Sequence, residues 1–225
     1  MIDWEDEGFL LAKRKFRENA NIINVFTKNY GKVSGIVYGG NSRKIKNFLQ
    51  IGNKIYINHK SKNDKQMGYF QPEIIDPISP KYFDDKKRMC SINSITAMLN
   101  LLLPEMQKNL KIFNSLVDFF SKLDEKNWIQ YYIVWEIYLI QELGFGIDYD
   151  KLKLKKNGNF QNLIIDGTAY EVPLFIFEKL RHVNVSEIKK GLVFARKLLM
   201  NKFFLINNIR FPKIRFTLEN YFWVL

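Results

Sequence analysis

Lys13, Arg14, Lys15, Arg17, Lys28, Lys32, Arg43, Lys44 and Lys46 crowd the start of the chain, with Phe16, Phe26, Tyr30, Tyr38 and Tyr56 set among them. Cations interleaved with aromatic rings are the materials of single-stranded nucleic-acid binding, because ammonium and guanidinium groups take phosphates while π-faces take bases. Alternation along a strand puts Arg14 and Phe16 on one face, and Lys13, Lys15 and Arg17 on the other. Some of the rings must therefore fill a core. Phe26 is expected inside, whereas Tyr30 and Tyr38, near turns, suit a surface equally well. A second basic group, Lys189, Lys190, Arg196, Lys197 and Lys202, either extends the nucleic-acid path or forms an ordinary solvated helix face.

Catalytic constellations are scarce by comparison. The two histidines, His59 and His182, have no partner at metal-ligand spacing, and the single cysteine, Cys90, is remote from both. There is no nucleophile elbow, Walker A sequence or GxGxxG. The run GGNSRK shares only its glycines with a phosphate loop. Asp3, Glu5, Asp6 and Glu7 could hold a divalent ion, as in a nuclease, but four acids near a terminus are more often simply solvated. Glu136 and Glu142 have no matching acid elsewhere for general acid–base work. The chain reads as a binding protein and not as an enzyme.

The formal net charge is +12, which points to a polyanionic partner. Lysine outnumbers arginine 27 to 8 and asparagine reaches 22, a bias that A/T-rich coding alone would produce. The distribution of acids argues for binding instead. Residues 8–63 hold twelve Lys or Arg and one acid, Glu18; residues 179–218 hold ten and one acid, Glu187. Coding bias would not strip acids from two blocks only. One cysteine permits no intrachain disulfide, the first residues are acidic where a signal peptide would be basic, and no apolar run reaches membrane-spanning length. A soluble, cytoplasmic protein without a membrane partner is expected.

Residues 9–16, 22–27, 32–38, 54–59 and 67–75 are rich in Ile, Val, Phe and Tyr and are separated by Asn, Gly, Lys and Asp clusters, the pattern of short strands. Between the third and fourth, Ile45, Phe48 and Leu49 fall at helical spacing. Three strands, a short helix and two strands is the order of an OB-fold, a five-stranded Greek-key barrel. Gly31 is expected to support the turn between the second and third strands, and Gly35 a bend or bulge where the barrel closes. Pro72, Pro77 and Pro80 mark a boundary near residue 80, beyond which the period becomes helical over 91–103, 110–123 and 127–143. Asn157-Gly158 and Asp166-Gly167 predict a small hairpin, followed by a helix from about Ser186 to Ile206 and a break at Pro212. The fold class is α+β: an OB-fold barrel over 1–80, then an all-helical domain over 81–225 with a hairpin insertion.

Three stretches carry a resemblance. ENANIINVFTKNYGKVSGIVYGGNSRK (18–44), WEIYLIQELGFG (135–146) and the helix and tail over 190–225 stand in the order and spacing of the RecO family of bacterial recombination-mediator and DNA-repair proteins. The resemblance implies an N-terminal OB-fold and a helical C-terminal domain, in agreement with the reading above. It also implies binding to single- and double-stranded DNA, annealing of complementary strands, partnership with RecR, contact with the C-terminal tail of the single-strand binding protein SSB, and loading of RecA onto SSB-coated strands. An RNA-binding module on the same fold is the alternative. An acidic tail ending in a free carboxylate needs an apolar floor and a cationic rim; Leu101, Leu102, Leu103, Arg88, Lys108 and Lys111 are such materials, though sequence does not gather them into one pocket. Many members of the family carry a four-cysteine zinc motif after the LGFG element. Here 147–172 has no cysteine, so zinc and other cofactors are expected to be absent and the hairpin to be a reduced counterpart of the zinc lobe.

Overall fold

The five apolar runs become the five strands of one closed barrel, in the order β1-β2-β3-β5-β4. They are β1 (Ile2–Arg17), β2 (Ala20–Thr27), β3 (Gly31–Tyr38), β4 (Lys54–Ser61) and β5 (Tyr69–Asp76), with helix α1 (Arg43–Phe48) between β3 and β4. The structure is a computed structural model and describes residues 2–40, 42–62, 67–146, 156–178 and 182–223. Three strands, a helix and two strands is the expected OB-fold order, and the closed topology agrees with it. Leu10, Ile23, Val25, Val33, Val37, Leu49, Ile55, Ile57 and Phe70 fill its interior.

β1 starts seven residues before the expected strand and closes the barrel by serving two neighbours. Its residues 2–9 pair with β4 and its residues 8–17 with β2. The acidic start disguises the strand, because Asp and Glu are poor strand formers. Asp3 and Glu5 nonetheless fit, since alternation turns them to solvent while Trp4 packs against the core. Gly31 adopts φ +70° at the β2–β3 turn, as expected. Gly35 differs from expectation: the β2–β3 register is continuous through it, so there is no bulge. A Cβ at Gly35 would lie 2.5–2.7 Å from the Phe70 ring, so glycine is there to admit that ring into the barrel. The register shifts occur elsewhere, within β1 and between Lys54 and Ile55 of β4.

Helix α2 (Lys86–Leu102) begins earlier than its apolar period indicates, because Asp85 caps it by accepting from the Lys87 and Arg88 amides at 3.0 Å each. It packs on the outer face of the barrel, where Asn24 Nδ2 donates to Asn100 Oδ1 at 2.7 Å. Phe9 and Phe26 leave the barrel interior on that side and meet Phe113. Phe26 is thus a core residue, as the sequence suggests. Met1–Phe113 form one compact unit and Asn114–Leu225 a second, the division falling within α3 (Leu110–Ser121).

In the second unit, α4 (Trp128–Glu142) is buried on most sides, with Tyr132, Ile133, Leu139 and Ile140 inaccessible. Three short strands, β6 (Lys156–Asn157), β7 (Phe160–Ile165) and β8 (Thr168–Pro173), stand where a hairpin is expected. Helix α5 (Val185–Leu199) opens on a capping box between Asn184 and Glu187, slightly before the expected start. It passes into a π turn at Met200–Phe204, and a further helix, α6 (Lys213–Asn220), starts after Pro212.

Candidate nucleic-acid interface

The β1–β2 register separates the candidate cations into two ends of the barrel. From the Gly8–Thr27 pair to the Arg17–Ala20 pair, β1 climbs roughly 30 Å. Lys28 and Tyr30 sit at the first end; Arg14, Lys15, Arg17, Tyr38 and α1 sit at the second. The candidates are therefore not one track.

At the first end the side chains are occupied by structure. Tyr30 stacks on Trp4 at 4.1 Å between ring centroids, and His59 stacks on Trp4 at 4.5 Å. Lys28 lies 3.6 Å and Lys54 3.0 Å from the Glu7 carboxylate. Three of the four acids of the start, Glu5, Asp6 and Glu7, are correspondingly engaged by the fold, while Asp3 is exposed. Asp6 is buried and accepts from the Glu7 amide at 2.9 Å, the Asn29 amide at 2.6 Å and Asn29 Nδ2 at 3.0 Å, fixing the β2–β3 turn. Glu5 accepts from the Tyr56 hydroxyl, and this bond chiefly pushes the phenol up to about 12. Among the described residues no group of three or more His, Cys, Asp or Glu side chains is placed to hold a metal ion.

Burial acts to raise the Glu7 pKa, but the Lys54 hydrogen bond and the Lys54 and Lys28 charges hold it below its usual value of 4.5. A depressed folded-state value stabilises the protein above the unfolded pKa, and that contribution disappears as pH falls through the folded one. Wild type should therefore resist urea better than Glu7→Gln at pH 7, and the gap should narrow progressively below about pH 4.5. Equal urea midpoints at pH 7 would show that the Glu7 pairs contribute nothing.

Two further lysines leave the exposed set. Lys32 is 9% exposed, and its ammonium donates to the Asn100 carbonyl at 2.9 Å, so it attaches β3 to α2 and is not available to a phosphate. Lys13 pairs with Ile23 on the interior face, and its ammonium reaches the Leu49 carbonyl at 2.7 Å, tying α1 across the end of the barrel. Burial, then the charge of Lys46, lowers its pKa. The two have different causes: Lys13 belongs to the inward-facing alternation of a closed barrel strand, whereas Lys32 lies on the part of the outer face that α2 covers.

What remains at the second end is a compact exposed surface. Arg14, Lys15, Phe16, Arg17 and Lys46 are exposed, and the Arg17 guanidinium lies 5.2 Å from the Phe16 ring centroid. Arg43 and Lys44 begin α1 at this end; their side chains lie outside the described residues. Cross-strand pairing runs Arg14–Ile22–Ile36–Tyr69, so Arg14 and Tyr69 terminate one row about 14 Å long. Tyr38 is 56% exposed and its ring lies 6.4 Å from Tyr69. Tyr69 is a residue that sequence reasoning misses. Its alternation with the buried Phe70 marks it as outward-facing, but only the parallel β3–β5 closure brings it beside Tyr38. The result is a pair of exposed rings at the same end of the barrel as the cations of β1, suited to stacking bases and holding phosphates.

The C-terminal basic residues divide similarly. Arg196 donates to both Glu219 oxygens, at 2.8 and 3.3 Å, and Lys202 pairs with Asp166, so these two hold α6 and the β7–β8 turn. Lys189, Lys190 and Lys197 instead line a cleft of about 250 Å³ between α5 and β8. The suggested apolar and cationic materials for an acidic tail are not gathered: Arg88 and Leu101 lie roughly 20 Å apart along α2.

Comparison with known proteins places these units in a family context. Residues 1–78 match the family model described as "Recombination protein O N terminal", and residues 84–152 match "Recombination protein O C terminal". Together the two models cover more than half of the chain. Among curated relatives, the "DNA repair protein RecO" of Cereibacter sphaeroides is 35% identical over 150 residues, covering 66% of this chain and 62% of that protein. The protein of the same name from Wolbachia pipientis subsp. Culex pipiens is 26% identical over 234 residues, covering 94% of this chain and 96% of that protein. That from Rhodospirillum centenum is 27% identical over 148 residues, covering 66% of this chain and 59% of that protein. The match to the Cereibacter protein thus spans about three-fifths of its length.

Proposed function

The chain belongs to the RecO family, and from that premise we propose that it acts in DNA repair as a non-catalytic recombination mediator. In this reading it binds single- and double-stranded DNA, anneals complementary strands and, with RecR, helps load RecA onto SSB-coated single strands, contacting the C-terminal tail of SSB. The observation that carries the DNA-binding part is the exposed second end of the barrel, where Arg14, Lys15 and Arg17 share one end with the rings of Phe16, Tyr38 and Tyr69. Cations and π-faces together bind single strands without needing sequence readout. Zinc has no part in this reading, because the chain's single cysteine cannot supply the family's four-cysteine motif. No described helix is long and apolar enough to cross a membrane. A nucleoid-associated, cytoplasmic location goes with the role in DNA repair.

Affinity for a labelled oligothymidine should fall with salt. The slope of log affinity against log salt should lessen by about 2 in the R14E/K15E/R17E variant, at roughly 0.7 for each phosphate that the variant no longer holds. The R43E/K44E pair tests α1 in the same way. Unchanged affinity and slope in both variants would remove the barrel end from the DNA path. Competition by RNA of the same length and sequence distinguishes the nucleic acids; a strong RNA preference would replace DNA repair with RNA binding. RecR association should survive both sets of substitutions.

A further inference from the structure

We propose that the cleft between α5 and β8 is a second contact site for single-stranded nucleic acid, separate from the barrel end. The inference rests on the DNA-binding reading above. The cleft has an apolar floor of Tyr170, Val193 and Phe194, and Trp223 stands in its wall with 52% of its surface exposed. Lys189 and Lys190 rim it at one level of α5, and Lys197 follows about 12 Å further along the helix.

Cations are already set against rings here. The Lys189 ammonium lies 5.4 Å from the Trp223 centroid and the Lys190 ammonium 4.1 Å from that of Phe160. The acids nearby are mostly engaged. Glu187 is 1% exposed and closes the capping box through the Asn184 amide, and Glu219 is held by Arg196 and Arg215. Glu171, which lines the cleft, pairs with Lys190 at 2.5 Å. Lys189 and Lys197 therefore set the sign of the cleft.

Their spacing decides the occupant. A single terminal carboxylate would be served by donors converging on one point, whereas ammonium groups two helical turns apart suit an anion that repeats along a chain. A half-exposed indole beside Lys189, lining the same cleft as Lys197, offers the π-face on which a base stacks, and such stacking tolerates any base. Phosphates on Lys189 and Lys197 with a base against Trp223 satisfy all three groups at once.

The test uses the full chain and an oligothymidine. Of the four tryptophans, Trp128 and Trp135 are buried and Trp4 is half-buried in its stack, so Trp223 should dominate any fluorescence quenching on binding. Trp223→Phe should abolish most of the quench. K189E/K197E should weaken binding about ten-fold at low salt and reduce the salt slope by about 1.4, with K189Q/K197Q showing a smaller loss in the same direction. If K189E/K197E binds with unchanged affinity and slope while R14E/K15E/R17E binds weakly, the cleft site is overturned and the barrel reading stands. If wild type binds no oligonucleotide at low salt, both fall. Loss of binding to an acidic peptide in K189E/K197E, with DNA affinity unchanged, would assign the cleft to a protein partner and overturn the proposal.

Discussion

Replacing Arg215 by Met should destabilise the C-terminal unit by about 3–5 kcal/mol, the range for breaking a buried ion pair by removing one partner. Arg215 and Glu136 are both inaccessible to solvent. The guanidinium donates from Nε to Glu136 Oε1 at 2.6 Å and from Nη2 to Glu136 Oε2 at 2.9 Å, a two-point grip with the geometry of strong charge-assisted bonds. Nη2 also donates to the Leu192 carbonyl at 2.8 Å, and Nη1 to Glu219 at 3.3 Å. One side chain of α6 thus joins α4 and α5. Burial acts to lower the Arg215 pKa, but the charge of Glu136, its hydrogen bonds and the charge of Glu219 raise it above its ordinary value. Methionine would leave Glu136 buried with the Tyr132 hydroxyl, 2.8 Å away, as a remaining donor. An unpaired buried carboxylate favours its neutral acid, so the deficit should shrink as pH falls. Urea unfolding at pH 7 and pH 5 measures both effects. Adding Glu136→Gln to Arg215→Met should recover part of the loss, because no buried charge then lacks a partner; a double variant as unstable as the sum of the singles would show that the two residues are not coupled.

Gly31→Ala should cost the N-terminal unit about 3 kcal/mol or more, from a left-handed backbone and a clash together. At φ +70° an L side chain costs roughly 1–2 kcal/mol for the left-handed conformation. The new Cβ would also stand 2.1 Å from the Gln107 carbonyl oxygen and 2.4 Å from its carbon, which are backbone atoms that no rotamer change can clear. The β2–β3 turn must move away from the α2–α3 connection, breaking the bond from the Met106 amide to the Lys32 carbonyl, 2.9 Å in the native fold. A clash of that kind adds about 1–3 kcal/mol. Gly158→Ala is the matched control: φ is +59°, but nothing lies within 4 Å of the added atom, so only the conformational cost applies. Thermal melts should rank Gly31→Ala well below Gly158→Ala, and hydrogen exchange should quicken at Met106 in the first variant alone. Equal losses would mean that the connection yields without cost.

The barrel's elements are legible because strands and helices write their periods locally. Ile22, Val25 and Val33 announce strands, and Ile45, Phe48 and Leu49 a helical turn, from spacing alone. Sequence and structure part where a long-range contact overrides a local preference. Asp3 and Glu5 sit in a strand because β4 pairs with them, and Gly35 stands where a bend or bulge is expected because a ring from β5 needs its space. The candidate site is half-legible for the same reason. Arg14 and Arg17 are exposed, and Tyr38 takes the surface reading of the two its position left open, but nothing within a few residues of Lys32 shows that α2 will cover it, and nothing near Tyr38 shows that Tyr69 will join it.

Composition and order of residues alone determined that two acid-poor, lysine-rich blocks exist, that five strands and a short helix come first, and that no four-cysteine site can form. Tertiary structure alone decided which charges those blocks actually present. Arg215 counts as one more cation in the sequence and lies fully buried against Glu136, while Lys189 and Lys197, of the same formal charge, face an open cleft. The physical reason is that a charge is a property of one residue, whereas its solvation and its partner are set by segments tens of residues away, and only the folded chain brings those together.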